Sequence, residues 1–296
     1  MAYRAAMTMQ GKFVVITGSN AGIGKETAVG VASLGATVVL ACRNQEKAEA
    51  AAADIRSRSG NPDIHIVPLD LADLGSVQAA AADILGRWDK IEVLINNAGG
   101  VWSEREVTAQ GIERTFAVNH LGHFYLTRLL LDRITQSAPA RIINLTSVGH
   151  HMAWRGMRFD DLQSMKRYAS MEAYGRSKLA NILFTRQLAK RLDGSGVTVN
   201  AVHPGPVRTQ FGMDGDLKGL MGLGNQFIRP FEISAKAGAK TSIYLATSPD
   251  VATTTGQYWV RSRPGHMSSQ ARSDGAAEQL WSESEQLLAA AGFPAS

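Results

Sequence analysis

The chain holds a single cysteine, Cys42, among its 296 residues. No intrachain disulfide can form, and cysteine usage gives no sign of an oxidising compartment. Long apolar runs are missing as well: no stretch reaches the roughly 18 apolar residues that span a bilayer. Met1 to Gln10 carries Arg4 but no apolar core with a cleavage site, so it does not read as a signal peptide. Cytoplasmic placement with no membrane span is the expectation. Blocks of like charge are absent too, although 31 Lys and Arg against 26 Asp and Glu leave a net charge of +5. The footprint of a nucleic-acid binder is therefore missing, and the scattered bases read as solvated surface, a few of them available to a phosphorylated ligand. No Cys or acid cluster accompanies the histidines at ligand spacing, so no metal is expected. His150 and His151 read as loop residues lining or flanking a pocket, and His120 and His123 as packing residues.

What remains is an ordinary globular balance, 45% hydrophobic and 19% charged, enough for a substantial core. Phe13 to Thr17 is a short, apolar, β-branched strand of the kind buried on both faces. Further strands are expected at Thr37–Ala41, Ile64–Leu69, Ile91–Ile95, Arg141–Thr146, Val197–Val202 and Gln257–Val260. Helical stretches alternate with them, at about Gly24–Leu34, Gln45–Ser59, Ala72–Trp88, Thr108–Ile134, Met171–Leu192 and Ala235–Thr247. Such alternation means right-handed βαβ units and a parallel sheet. The expected architecture is one doubly wound Rossmann-type α/β domain with a mostly parallel seven-stranded sheet flanked by helices. Its core is expected over 11–207. The Gly- and Met-rich segment 208–232 reads as a substrate lid, with packing or an oligomer contact as the alternative, and 261–296 as a C-terminal extension with a helix near Ala276–Ala290.

In an open parallel sheet, ligands bind beyond the carboxyl ends of the strands. After the first strand comes Thr17-Gly18-Ser19-Asn20-Ala21-Gly22-Ile23-Gly24. Small residues there let the backbone approach a pyrophosphate, and the following helix aims free N–H groups at it. Gly18, Ser19, Asn20, Gly22, Ile23 and Gly24 are the candidate contacts of a dinucleotide; an ordinary tight turn is the alternative. The second strand ends Ala41-Cys42-Arg43, with no acid to hold ribose hydroxyls. Arg43 offers a cationic fork suited to a 2′-phosphate, so NADP(H) is expected over NAD(H); the alternative is a surface arginine. Asp70-Leu71 ends the third strand. Asp70 either accepts from an adenine amino group or caps the next helix, a role for which Asp73 competes. After the fourth strand, Asn97-Ala98-Gly99 leaves space for a flat cofactor.

Tyr174 and Lys178 lie four residues apart, on one face of a helix. A free phenol, with a pKa of roughly 10, is a poor base at neutral pH, and a nearby ammonium is expected to lower it. The phenol then exchanges a proton with a carbonyl or alcohol oxygen. Ser147, at the end of the fifth strand, is expected at the same rim. Asn119, in an apolar helix, needs a polar partner and is a candidate to hold a relay water.

These motifs together resemble the short-chain dehydrogenase/reductase family over residues 11 to about 260. Pro204-Gly205-Pro206-Val207-Arg208-Thr209 adds to the likeness. The resemblance implies that Ser147 orients the reacting oxygen, Tyr174 transfers the proton, Lys178 tunes it, and Asn119 holds a relay water. It also implies that Pro204, Gly205, Val207 and Thr209 contact the nicotinamide end. Ala41-Cys42-Arg43, Val118-Asn119-His120-Leu121-Gly122-His123-Phe124, Ser177-Lys178-Leu179-Ala180-Asn181 and Ala201-Val202-His203-Pro204-Gly205 are similar to the retinol dehydrogenase branch, with its WW-domain oxidoreductase and bacterial ketoreductase relatives. That branch implies NADP(H) and a bulky lipophilic or aromatic carbonyl substrate. Alcohol oxidation is the alternative, and a silent dinucleotide sensor a further one. A homodimer or homotetramer is the assembly related folds suggest, and a C-terminal extension that blocks the helix contact is the alternative.

Overall fold

The computed structural model describes residues 8–205 and 234–294. Strands β1 (Phe13–Thr17), β2 (Thr37–Cys42), β3 (Ile64–Pro68), β4 (Val93–Asn96), β5 (Ala140–Leu145), β6 (Val197–His203), β7 (Tyr258–Val260) and β8 (Arg263–Pro264) form one sheet of order β3-β2-β1-β4-β5-β6-β7-β8. The first seven are parallel. The eighth, absent from the sequence reading, is a two-residue antiparallel return: Arg261 and Ser262 take positive φ and fold the chain back on β7.

Strand alternation divides the core between two faces. Phe13 and Val15 join the side covered by α3 (Leu74–Arg87), α5 (Gly122–Gln136), α6 (Ser170–Arg191) and the C-terminal helix Asp274–Ala290. Val14 and Ile16 join the side covered by α1 (Gly22–Ala32), α2 (Gln45–Ser59) and the helix Ala235–Thr247. Both inward and outward positions are buried, which explains why β1 and β2 read as continuous apolar runs rather than alternating ones. A Cβ on Gly30 would lie 2.3 Å from Ile243 Cδ1, so glycine lets α1 and Ala235–Thr247 approach closely.

The long helix expected from Thr108 is shorter than that. Thr108–Gly111 is a turn with Gly111 at φ 75°, and an isolated bridge pairs Val107 with Glu113. Glu113 then caps α4 (Arg114–Phe116), accepting from the N–H groups of Thr115 and Phe116 at 2.7 and 2.9 Å. The helix does not run on as a simple α-helix. Ala117–Leu121 is a π turn, with one extra residue inserted around Asn119, before α5 continues. Such insertions re-aim side chains and concentrate at functional sites.

Strand order reverses between β1 and β4, on either side of which the sheet is wound in opposite directions. The crevice beyond their carboxyl ends is where such a sheet receives a ligand.

Candidate active site

The glycine turn closes this crevice from below. Gly18 (φ 63°) and Gly22 (φ 55°) adopt backbone angles that favour glycine. A Cβ on Gly18 would meet Ala98 Cβ at 2.8 Å, and one on Gly24 would meet Gly18 O and Asn97 Nδ2 at 2.5 Å. Helix α1 begins at Ala21 with no side-chain cap and no acid in its first turn. Asn44, Asp73 and Glu113 do cap α2, α3 and α4. Free N–H groups and small residues at α1 therefore suit a pyrophosphate. Ser19 is turned inward, its hydroxyl donating to Ile16 O at 2.9 Å. Asn20 and Ile23 sit half-buried on the turn. Arg43 is exposed at the end of β2, with no ion pair among the described residues.

Asp73 takes the cap of α3, accepting from Gly75 N–H at 3.0 Å, while Asp70 Oδ1 accepts from Ala72 N–H at 2.9 Å. Leu71 is buried in the core against Gly122. Pro204 and Gly205 (φ 94°) follow β6, half-buried. Val207, Thr209 and the 208–232 segment lie outside the described residues.

Thr17 organises the centre, a role that sequence reasoning missed. Its Oγ1 accepts from the N–H groups of Asn97 and Ala98 at 2.9 and 3.0 Å. With both lone pairs used, its O–H donates to His123 Nε2 at 2.8 Å. His123 therefore carries its proton on Nδ1, facing the Asn119 carbonyl at 3.3 Å. Burial holds its pKa near about 3, so the imidazole is neutral. Asn97 Nδ2 donates to Thr17 O at 2.8 Å, locking the loop to β1. A polar residue closing an apolar strand, and a histidine four residues after Asn119, were the available signals.

Asn119 finds its partners in the main chain of the neighbouring loop and in a serine of α6. Its Oδ1 accepts from Gly100 N–H at 2.8 Å, and its Nδ2 donates to Gly100 O and Ser177 Oγ, both at 2.9 Å. A Cβ on Gly99 would lie 3.0 Å from Asn119 Oδ1 and 3.2 Å from Lys178 Nζ, so this loop borders both side chains.

Tyr174 and Lys178 share a face of α6, with Nζ 5.6 Å from the phenol ring centroid. Thr146 Oγ1 donates to Lys178 O at 2.7 Å, and Asn181 Nδ2 to Leu145 O at 2.9 Å, fastening α6 to the end of β5. Ser147 follows directly; its Oγ accepts from Gly149 N–H at 3.0 Å and shares a hydrogen bond with Tyr174. The structure thus brings Asn119, Ser147, Tyr174 and Lys178 to one rim. It corrects the expected electrostatics. Burial raises the Tyr174 phenol and the Ser147 hydrogen bond only partly opposes it. Lys178 is itself pushed down to about 8 by burial, and its Nζ turns to Leu145 O at 3.4 Å rather than to the phenol oxygen. Among the described residues no group of three or more His, Cys, Asp or Glu could hold a metal ion.

Known proteins are similar to this chain over most of its length. A family model described as enoyl-(acyl carrier protein) reductase matches residues 18–260. Retinol dehydrogenase 12 of Mus musculus is 47% identical over 278 residues, covering 94% of this chain and 86% of its own. A Mycobacterium Paratuberculosis protein of uncharacterised function superposes with a TM-score of 0.77 at 33% identity, covering 99% of this chain and 98% of its own. RhlG of Pseudomonas aeruginosa, solved as an active-site complex with NADP, gives a TM-score of 0.67 at 25% identity, over 85% and 94%. With a doubly wound sheet, an uncapped first helix and a Ser-Tyr-Lys rim on one crevice, this chain belongs to the short-chain dehydrogenase/reductase family, in its retinol dehydrogenase-like branch, and is an oxidoreductase of alcohol and carbonyl groups that binds a nicotinamide dinucleotide.

Proposed function

We propose that this chain is an NADP(H)-dependent reductase of a ketone or aldehyde on a bulky, lipophilic or aromatic substrate. The observation that carries the reading is the hydrogen-bonded Ser147–Tyr174 pair beside Lys178. A bound nicotinamide supplies the hydride. The turn Gly18–Gly24 holds the pyrophosphate, Asn97–Gly99 borders the ring end together with Pro204, Gly205, Val207 and Thr209, and Asp70 and Leu71 hold the adenine end. Ser147 Oγ orients the substrate oxygen and Tyr174 donates its proton to it. The raised phenol suits this direction, because it stays protonated at neutral pH. Lys178 is still mostly protonated at pH 7 and favours proton release once the phenol is engaged. Asn119 holds the loop at Gly100 and a relay water toward Lys178.

Arg43 supports the phosphorylated cofactor: its exposed guanidinium faces no carboxylate partner among the described residues, and a 2′-phosphate fits it bidentately. RhlG, a structural relative, was solved with NADP. A lipophilic substrate is supported by Val148, Met152 and Met171, which are exposed close in sequence to Ser147 and Tyr174. Oxidation of an alcohol is the second reading, favoured by relatives named as retinol dehydrogenases. The segment 208–232 serves as the lid in either direction, and cytoplasmic placement and a homo-oligomer complete the proposal.

NADPH and NADH consumption against quinones, aromatic ketones, steroids and retinal tests it. Tyr174→Phe is expected to abolish turnover while dinucleotide binding persists; turnover surviving that change overturns the assigned proton donor. Arg43→Glu is expected to weaken NADPH at least about tenfold while sparing NADH, since a carboxylate repels the 2′-phosphate. Equal loss for both cofactors removes Arg43 from the choice.

A further inference from the structure

His150 lies outside the four reacting groups, yet it is fully buried and both ring nitrogens are engaged. Nδ1 stands 2.8 Å from Ser147 O, and Ser268 N–H donates to Nε2 at 3.3 Å. A backbone N–H has only a proton to offer, so Nε2 accepts and Nδ1 carries the ring proton to the Ser147 carbonyl. An imidazolium would aim a second N–H at Ser268 N–H. The groups that face the ring are themselves bases or neutral: His151, His266 and, edge-on at 5.2 Å, Tyr258.

Ser268 belongs to the chain that follows β8. The same segment makes a second link to the loop beyond Ser147, where Gln270 Nε2 donates to Trp154 O at 2.5 Å, and Ala271 is fully buried. The Ser147 turn has little freedom on its other sides. Val148 N–H donates to His203 Nδ1 at 3.3 Å from the end of β6, and a Cβ on Gly175 would lie 2.9 Å from Gly149 O. The turn is thus pressed against α6 one residue from Tyr174, and His150 is the side chain that joins it to the C-terminal segment.

We propose that His150 is a positioning residue, which transmits the placement of the C-terminal segment 263–272 to Ser147 and so sets the serine against Tyr174. The role rests on the reading of Ser147 and Tyr174 as reacting groups. It makes the C-terminal extension part of the site's geometry, since an error of about 1 Å in such a group costs on the order of 100-fold in rate.

His150→Phe removes both links at similar volume. His150→Asn keeps a donor at the Nδ1 position but cannot reach Ser268. With carbonyl substrate and saturating NADPH, the Phe variant is expected to lower kcat by about 10- to 100-fold. KM and dinucleotide Kd should stay within about threefold, and Asn, which loses the link to Ser268, should recover little of kcat. Hydrogen–deuterium exchange of the peptide 263–272 is expected to accelerate in both variants. Unchanged kcat in the Phe variant overturns the proposal, as does a loss confined to KM. Should Phe not fold, unchanged exchange at 263–272 in the Asn variant overturns it. A wild-type chain that turns over no carbonyl or alcohol sinks the functional reading instead, and the exchange measurement still decides whether His150 straps the segment.

Discussion

Lys178 is buried to within 3% of full enclosure, and no carboxylate among the described residues offsets its charge. An unfolded lysine holds its proton to a pKa of roughly 10.4; here the folded side chain releases it at about 8. At pH 7 the folded state therefore carries a charge that its surroundings disfavour. As pH rises from 8 toward 10, the unfolded state binds the extra proton and the penalty fades. Lys178→Met is expected to stabilise the fold at pH 7 by up to about 3 kcal/mol, at the cost of activity. The gain should shrink steadily between pH 8 and 9.5. Tyr174, raised by burial, keeps its proton in the folded state over this range and is common to both chains. Urea titrations at several pH values check this, and a pH-independent difference would remove the electrostatic account. Tyr174 and Lys178 were legible as a pair from their spacing. Their mutual electrostatics were not, because desolvation depends on what α6 is packed against.

At the scale of elements, the turn between β1 and α1 rests on missing side chains. Gly24→Ala would place a methyl 2.5 Å from both Gly18 O and Asn97 Nδ2. Backbone on one side leaves no cheap relief, so destabilisation of about 1–3 kcal/mol is expected. Displacement of Asn97 from Thr17 O should also weaken dinucleotide binding by more than the stability loss accounts for. Calorimetric titration with NADPH on the folded variant checks it, and wild-type affinity would show that the turn yields without consequence. The glycine spacing made this turn visible in advance. The π turn at Ala117–Leu121 was invisible, since one inserted residue does not disturb an apolar pattern, and Glu113 concealed the true helix start by capping it with a charged side chain.

Across the whole molecule, the C-terminal helix Asp274–Ala290 closes one face of the sheet. Trp281 is buried against Phe124 and Phe184, with ring centroids 5.0 and 6.0 Å away, while Arg191 and Arg128 lie 4.2 and 5.1 Å from its ring. Buried Ser284 Oγ meets His120 Nε2 at 3.0 Å. Trp281→Ala is expected to cost about 3–5 kcal/mol and to lower the urea midpoint with one transition of unchanged slope. A separate early transition would show that the helix unfolds by itself. If it holds, the extension is part of a single cooperative unit with the sheet, as the proposed link from Ser268 to His150 requires.

The order of strands and helices, the glycine turn, and the Asn, Ser, Tyr and Lys of the rim follow from local spacing, because periodicity and backbone permissiveness are properties of neighbouring residues. Thr17 with His123, and His150 with Ser268, are 106 and 118 residues apart. Only the folded sheet could join them, since a buried polar atom takes whichever partner the packing brings within about 3 Å. For the same reason the chain alone names the candidate reacting groups, while tertiary burial decides their protonation and, in the proposal made above, the C-terminal segment decides how firmly Ser147 is held.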